Sequence, residues 1–212
     1  MAANFQQLLK SPTAAYAEGL RFFRGEGMVN DALHRLVTDL ERNGIEYAVI
    51  GAVALNQHGY RRFTEDIDIL LSREGLEAFR EKLVGLGYRP AFEGATKRFR
   101  TTEENVPVEV ITEGEYPGDG LPKEIVFPAP DEFAVVIDGV KTVTLVKLIE
   151  LKLASGMTAP DRLKDLADVQ ELIKIKALRP DFASNLDESV RVKFIELANA
   201  VIASHDKDRS EG

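Results

Sequence analysis

The chain has 212 residues, of which 44% are hydrophobic and 8% aromatic, so it can bury a core without disulfide or metal staples. It contains no cysteine, which excludes disulfides, thiolate–zinc sites and cysteine nucleophiles and suits a reducing cytoplasm. The formal net charge of −8 argues against broad binding of nucleic-acid phosphates and favours a small-molecule substrate or a confined contact. The N-terminus lacks a signal-peptide pattern and no run of about 18 apolar residues occurs, so we predict a cytoplasmic protein without a membrane span.

The first quarter of the chain is predicted to form alternating helices and strands. Residues 1–29 form an N-terminal extension with only a weak helical pattern. A clear amphipathic helix begins at Asn30 and ends at the C-capping pair Asn43-Gly44. Residues 47–50 then predict a short buried strand, and residues 52–57 predict a short helix.

The next segments complete a predicted mixed sheet. Residues 66–71 indicate a second strand, and Ser72 caps a helix whose apolar stripe continues to Leu86 and stops at Gly87. Further strands are predicted over residues 98–102, 106–112, 125–127 and 134–137, with a Gly- and Pro-rich loop over 115–122 and a hairpin turn at Asp138-Gly139.

After residue 143 the pattern becomes wholly helical. Thr144 caps a predicted helix that ends near Ser155, Pro160 opens the next helix, and a last helix covers about residues 186–204. We therefore predict an α/β (α+β) fold, with a small twisted mixed sheet flanked by helices and a helical C-terminal part closing one side of a cleft. The predicted domains are residues 1–29, 30–143 and 144–212.

Two carboxylates occupy alternate positions of the second strand. Side chains on a strand alternate between faces, so Asp66 and Asp68 point to one side while Ile67 and Ile69 pack behind them. Carboxylates spaced about 7 Å apart repel each other unless a cation or water screens them. Oxygen ligands of this kind select Mg²⁺ or Mn²⁺. Taken alone, the alternation is more typical of a solvated strand face.

Gly51 and Glu109 supply the other parts of a phosphoryl-transfer site. Gly51 ends a strand and precedes a helix whose free N–H groups can seat a phosphate, and its missing Cβ allows close approach. Glu109 is a lone charge in an apolar strand, which makes it the candidate third carboxylate and general base. Each residue alone also fits a turn glycine or an ordinary acid. Their order and spacing favour nucleotidyl transfer.

The spacing Gly51-Ala52-x₁₃-Asp66-x-Asp68 resembles the signature of the DNA polymerase beta-like nucleotidyltransferase superfamily. The longer segment from Gly51 to Leu70 looks like the form in AbiEii/AbiGii-type toxin nucleotidyltransferases and their uncharacterised relatives, with His58-Gly59, Arg62 and Thr64 in register. The resemblance implies a nucleoside triphosphate substrate and Mg²⁺ or Mn²⁺. It assigns the metal to Asp66, Asp68 and Glu109, and the nucleotide to Gly51, Ala52, Arg62 and Thr64.

The helical part carries a looser match to the same family. Lys152 followed by Arg162-Leu-Lys-Asp165-Leu-Ala-Asp168 is similar to the family's Lys and Arg-x-(Lys/Arg)-Asp-x-x-Asp pattern. By resemblance Lys152 contacts the triphosphate, and Asp165 or Asp168 orients it or acts at the reacting centre. On physical grounds alone, Lys152 and Asp168 also fit solvated surface residues.

Two departures from the family pattern bear on activity. Ala52 stands where Gly or Ser is usual, so it keeps the backbone N–H but lacks a hydroxyl contact. Glu109 stands where Asp is commoner and moves the third carboxylate outward by one methylene. Neither departure forbids catalysis.

Several other polar residues have structural explanations. Arg62 could pair with Glu65 or Asp66 and support the loop. His58 is expected to bond a nearby carbonyl rather than to act in catalysis. Residues 97–100 are expected to be a solvated strand face, with a basic rim for an RNA acceptor as the alternative.

These patterns predict a metal-dependent enzyme that transfers a nucleoside monophosphate from an NTP to an acceptor and releases pyrophosphate. The acceptor stays open among transfer RNA, a protein side chain and an antibiotic hydroxyl. One alternative is a catalytically inactive nucleotide- or partner-binding protein that retains the fold. A second alternative concerns its role, as a toxin neutralised by a partner antitoxin.

Overall fold

A seven-stranded mixed sheet forms the centre of the structure. The computed structural model describes residues 5–210, of which 205–210 are described by their backbone only. The strands follow the order β3-β4-β5-β2-β1-β7-β6, in which β2 pairs parallel with β5, β1 pairs parallel with β7, and the other neighbours are antiparallel. In chain order they are β1 (Tyr47–Val49), β2 (Ile67–Leu71), β3 (Tyr88–Pro90), β4 (Arg98–Thr101), β5 (Pro107–Thr112), β6 (Ala134–Ile137) and β7 (Val140–Val143).

Helices cover both faces of this sheet, which confirms the predicted α/β architecture. Ser72 and Thr144 cap helices as expected, accepting hydrogen bonds from the Gly75 and Lys147 N–H groups at 2.9 and 3.4 Å. No helix within residues 5–210 has both the length and the apolar composition needed to cross a bilayer. The helices are α1 (Phe5–Leu8), α2 (Pro12–Phe22), α3 (Met28–Arg42), α4 (Gly51–Gln57), α5 (Arg73–Lys82), α6 (Leu145–Thr158), α7 (Leu163–Lys176) and α8 (Glu188–Ser210), with 3₁₀ turns at Pro160–Arg162 and Pro180–Asn185.

Strand alternation divides the core between the two faces of the sheet. On β2, Ile67 and Ile69 face a core that they share with α3 and α5, whereas Leu70 faces a second core with α6, α7 and α8. Each fully buried aliphatic side chain contributes about 1.5–3 kcal/mol. Phe5 is fully buried in the first core. The division of the chain into residues 1–29, 30–143 and 144–212 stays a prediction.

The structure corrects several predicted elements. Residues 125–127 are not a strand, because only Phe127 exchanges backbone hydrogen bonds there, with Gly114 and Glu115, and the nearby prolines cannot donate. Helix α5 ends at Lys82, and Leu86 is 80% exposed between Gly85 and Gly87, both with positive φ. Strand β3 was not predicted because it has only three residues and includes a proline. Helix α8 continues to Ser210 instead of ending near residue 204.

Candidate active site

A cleft between the sheet and the C-terminal helices gathers the predicted site residues. Gly51, Ala52, Arg62, Thr64, Asp66, Asp68, Glu109, Lys152 and Asp165 all line it. Asp168 does not line the cleft but contacts two residues that do, Arg62 and Lys152. Residues from four separate segments therefore meet where the sequence pattern placed a single site.

The carboxylates come from neighbouring parallel strands. Asp68 on β2 lies directly beside Glu109 on β5 in the strand register. Asp66 precedes β2 by one residue, and the Thr64 hydroxyl donates a hydrogen bond to its Oδ1 at 2.5 Å. The carboxylate of Asp68 has no hydrogen bond or ion pair with any side chain that the structure describes. Among the described residues, Asp68 is therefore a carboxylate without a side-chain partner.

Gly51 provides the space that the Asp68 side chain occupies. Its φ of +64° is a left-handed value that glycine tolerates best. A Cβ added there would lie 1.9 Å from Asp68 Oδ2, far inside van der Waals contact. The Ile50 N–H also donates to the Asp68 backbone carbonyl at 3.0 Å, which ties the end of β1 to β2. Glycine at this position is therefore a requirement of the carboxylate as well as of the turn.

The electrostatic environment makes ionisation of Asp68 unfavourable. Burial, followed by the neighbouring charges of Asp66 and Glu109, raises the pKa of Asp68 to about 7. Lys152 and Arg162 oppose this shift without cancelling it. The cleft therefore has an excess of negative charge at its centre, which a cation would relieve.

The donor set fits Mg²⁺ or Mn²⁺, although the ligands are not preassembled. In the described part of the chain, no group of three or more His, Asp or Glu side chains is already placed to hold a metal. Glu109 turns instead toward Arg98 on β4, with Nη2 at 3.3 Å from Oε1. Mg²⁺ commonly takes one or two carboxylates and completes its shell with water and substrate phosphates. Asp66 and Asp68 meet that requirement, and Glu109 would join them as a third ligand only after a change in side-chain position.

An ion network joins the cleft wall to the helical part. Lys152 Nζ lies 2.7 Å from both Asp165 Oδ1 and Asp168 Oδ2, and the Ser155 hydroxyl donates to Asp165 Oδ2 at 2.7 Å. Arg62 Nη1 lies 2.5 Å from Asp168 Oδ2. The pKa of Asp165 is lowered, since Lys152, Ser155 and Arg162 together outweigh burial, which by itself would raise it. Lys152 and Asp168 are both buried and ion-paired, so the alternative that they are solvated surface residues is wrong.

The structure shows the partners of three groups of polar residues for which the sequence suggested a structural role. Arg62 pairs with Asp168 and not with Glu65 or Asp66. His58 is buried with Nε2 2.8 Å from the Val143 carbonyl, which confirms the expected structural bond, and burial lowers its pKa. In the segment 97–100, Lys97 pairs with Glu115 and Arg98 with Glu109, so carboxylates already neutralise two of its cations.

The cleft has two arms that meet at Asp68 and Glu109. The polar arm includes Arg62, Thr64, Asp66, Arg162 and Lys164. The apolar arm includes Ile111, Tyr116, Phe127, Leu148 and Leu151. Sequence reasoning assigned no site role to Arg162, Lys164 or any residue of the apolar arm. The one sequence signal for Arg162 and Lys164 was their place in the family-like motif of residues 162–168.

The loop after β5 forms one wall of the apolar arm. Gly118 in this loop has a φ of +76°, and a Cβ there would lie 2.8 Å from the Ser155 carbonyl on α6. Lys123 donates to the Pro117 carbonyl at 2.6 Å and to the Thr158 hydroxyl at 3.1 Å. These contacts hold the loop against the C-terminal half of α6.

Several known structures are similar to this chain at low sequence identity. An antigenic nucleotidyltransferase-like protein from Paracoccidioides brasiliensis is 18% identical, with a TM-score of 0.50 over 85% of this chain and 89% of that chain. ANT(2″)-Ia in complex with adenylyl-2″-tobramycin is 14% identical, with a TM-score of 0.49 over 82% and 97% of the two chains. JHP933 from Helicobacter pylori is 17% identical, with a TM-score of 0.45 over 85% and 94%.

Sequence comparison adds no closer relative. No protein-family model matches the chain, and neither does any curated protein. At these identities the structural likeness shows a shared fold alone, and the particular resemblance to AbiEii/AbiGii-type toxins stays a prediction. The chain has the nucleotidyltransferase-like fold of the Paracoccidioides brasiliensis protein.

Proposed function

We propose that this protein is a metal-dependent nucleotidyltransferase. The observation that carries the proposal is the Asp68 carboxylate, which has no side-chain partner in the described part of the chain and is held against Gly51, beside Asp66 and Glu109, in a cleft. Such a carboxylate is costly to bury without a cation. The shared fold and the sequence signature independently support the same chemistry.

The residues of the cleft divide into metal-binding and nucleotide-binding groups. Asp66 and Asp68 would hold the metal, with Glu109 completing the set. Gly51 and Ala52 would face the triphosphate through backbone N–H groups, next to Arg62 and Thr64. When bound, Mg²⁺ supplies positive charge for the phosphate oxygens and orients the triphosphate.

The proposed reaction is an in-line displacement at the α-phosphorus. An acceptor oxygen forms a bond to this phosphorus while the bond to the bridging oxygen breaks and pyrophosphate leaves. The proton of an acceptor hydroxyl goes to a carboxylate, for which Glu109 is the candidate because it is half-exposed beside Asp68. Lys152 contributes positive charge from the cleft wall while Asp165 and Asp168 hold its position.

The acceptor and the biological role are separate parts of the proposal. A transfer RNA, a protein side chain and a small hydroxyl compound are the acceptor classes, to be separated by transfer of label from α-³²P NTP onto each. A toxin role predicts growth arrest on expression and its relief by a co-expressed antitoxin. Cytoplasmic location is likewise proposed, from the cysteine-free composition.

One observation favours a catalytically inactive binding protein as the second candidate. Glu109 pairs with Arg98 through Oε1, and the three carboxylates are not already grouped as a metal site among the described residues. A chain that lost turnover would keep nucleotide binding through the remaining cleft residues. Label transfer separates this candidate from the enzyme, because binding without transfer to any acceptor class is its expected result.

The first experiment is calorimetric titration of the four NTPs with and without Mg²⁺. Wild type should bind at least one NTP in a metal-dependent manner, and Asp66→Ala/Asp68→Ala should lose that binding. Asp138→Asn is the matched control, because it removes one carboxylate at the β6–β7 hairpin turn, where asparagine tolerates the φ of +49°. Metal-dependent binding that survives in the double variant would refute the metal assignment.

A further inference from the structure

Four cations line the polar arm of the cleft. They are Arg62, Lys152, Arg162 and Lys164. Arg62 lies in the loop before β2, Lys152 in α6, Arg162 in the 3₁₀ turn after α6, and Lys164 in the first turn of α7. A triphosphate entering this arm needs cations whose N–H groups are available, so the existing partners of each cation matter.

The first two cations are already bound to buried carboxylates. Lys152 contacts Asp165 and Asp168, and its side chain is only 9% exposed. Arg62 donates from one nitrogen to both oxygens of Asp168, at 2.7 and 2.5 Å. Asp168 is only 2% exposed. If Arg62 or Lys152 moved onto a phosphate, the buried Asp168 carboxylate would lose one of its two cationic partners, which is unfavourable.

The other two cations are available to a ligand. The Arg162 side chain is 58% exposed, and its ion pair with Asp165 Oδ2 is long, at 3.9 Å. Lys164 is exposed and has no hydrogen bond or ion pair among the described side chains. Asp161 stands on the same turn, so the segment 161–164 contributes a net charge of about +1 to the cleft.

Arg162 also faces the carboxylate cluster. It lies at the boundary of the two arms and lines both of them. Asp68 and Glu109 line both arms as well, so the guanidinium shares the cleft with the proposed metal site. A guanidinium presents a planar fork of donors that matches two phosphate oxygens.

We propose that Arg162, assisted by Lys164, is the residue that binds the triphosphate directly, while Arg62 and Lys152 stay in the ion network of Asp168. This assignment rests on the proposed nucleotidyltransferase function. The sequence resemblance predicts that Lys152 contacts the triphosphate, whereas this proposal gives that contact to Arg162.

The test measures binding of inorganic tripolyphosphate and of ATP, each with Mg²⁺, by calorimetry on the full chain. Arg162→Gln should weaken tripolyphosphate binding about 10- to 100-fold, and Arg162→Gln/Lys164→Gln should weaken it further. Arg162→Lys should retain part of the affinity because it keeps the charge but loses the fork. Arg73→Gln is the control, since it makes the same change on an exposed residue of α5, on the other face of the sheet.

Melting temperatures of all variants should stay within a few degrees of wild type, because the three substituted residues are exposed and the one ion pair of Arg162 among the described side chains is long. Unchanged tripolyphosphate affinity in Arg162→Gln, with wild type binding it, would overturn the assignment and leave the nucleotidyltransferase proposal standing. Equal losses in Arg162→Gln and Arg73→Gln would also overturn it, because they would indicate a general charge effect. Wild type that binds neither tripolyphosphate nor any NTP would count against the proposed function itself.

Discussion

Arg62 and Asp168 are 106 residues apart in the sequence and form an ion pair in which Nη1 lies 2.7 and 2.5 Å from the two carboxylate oxygens. Arg62 belongs to the loop that leads into β2, and Asp168 belongs to α7. The pair therefore joins the loop that carries Thr64 and Asp66 to the helical part. Lys152 binds the same carboxylate from α6, so Asp168 holds three segments together.

Removal of the Asp168 carboxylate should destabilise the fold. Asp168→Ala removes one of the two carboxylates that contact the buried Lys152, and it removes both hydrogen bonds from Arg62 to Asp168. We therefore expect the free energy of unfolding to fall by about 3 kcal/mol. Urea denaturation followed by circular dichroism measures this loss. Glu171→Gln is the control on the same helix, because its ion pair with Lys174 is exposed and should change stability by less than about 0.5 kcal/mol. Equal stability of the two variants would contradict the proposed role of Asp168.

A methyl group at position 51 should disrupt the carboxylate cluster. Gly51→Ala places a Cβ 1.9 Å from Asp68 Oδ2, so either this side chain or the start of α4 must move. We expect loss of metal-dependent NTP binding and a stability loss larger than that of Gly44→Ala. Gly44 is the matched control because its φ of +66° imposes similar backbone strain while no atom lies within 4 Å of its Cβ.

The clash can be separated from strain by a second substitution. Gly51→Ala/Asp68→Ala removes the two atoms closest to the new methyl group, Oδ2 and Cγ of Asp68, so Gly51→Ala should cost less stability in the Asp68→Ala background than in wild type. If the cost is the same in both backgrounds, backbone strain at position 51 accounts for the whole effect.

The stability of the protein should depend on the ionisation of Asp68. Its folded pKa of about 7 lies above the ordinary value of 3.8, so the native state binds more protons than the unfolded state between these two pH values. Stability from this group is therefore present at low pH and is lost as pH rises toward and through 7. Asp68→Asn cannot ionise, so it should be more stable than wild type by at most about 4 kcal/mol at pH 8, and this advantage should shrink toward pH 4.

Chemical denaturation of both proteins at pH 4, 6 and 8 measures this dependence. An advantage of Asp68→Asn that is the same at all three pH values would contradict the raised pKa. Addition of Mg²⁺ at pH 8 should stabilise wild type more than Asp68→Asn, because the variant lacks one of the charged ligands proposed for the metal.

A substitution in the loop after β5 should alter the apolar arm without touching the carboxylates. Gly118→Ala places a Cβ 2.5 Å from the Thr158 hydroxyl and 2.8 Å from the Ser155 carbonyl, so the loop must move away from α6. Hydrogen exchange of residues 114–123 should become faster. Gly120→Ala is the control in the same loop, with a φ of +73° and no atom within 4 Å of its Cβ. Equal exchange rates in the two variants would show that close packing of Gly118 does not hold the loop.

Local patterns in the sequence were sufficient for the parts of the fold that depend on near neighbours. The alternation from Asp66 to Ile69 predicted which side chains face the cleft, because strand geometry reverses direction at every residue. Ser72 and Thr144 predicted helix starts, since a capping bond spans only three residues. Residues 125–127 were assigned wrongly, because a strand needs a partner that an apolar tripeptide does not specify.

What the sequence determined by itself about this protein is the α/β fold class and the cluster formed by Gly51, Asp66 and Asp68, which lie within 18 positions of one another. Only the tertiary structure decided which charges meet: Arg62 with Asp168, Glu109 with Arg98, and Asp68 with no partner among the described side chains. Composition and periodicity show that a charge is present, but its partner depends on which strands and helices become neighbours. That choice is made by packing across the whole sheet, and it is what leaves Arg162 and Lys164 open to the cleft.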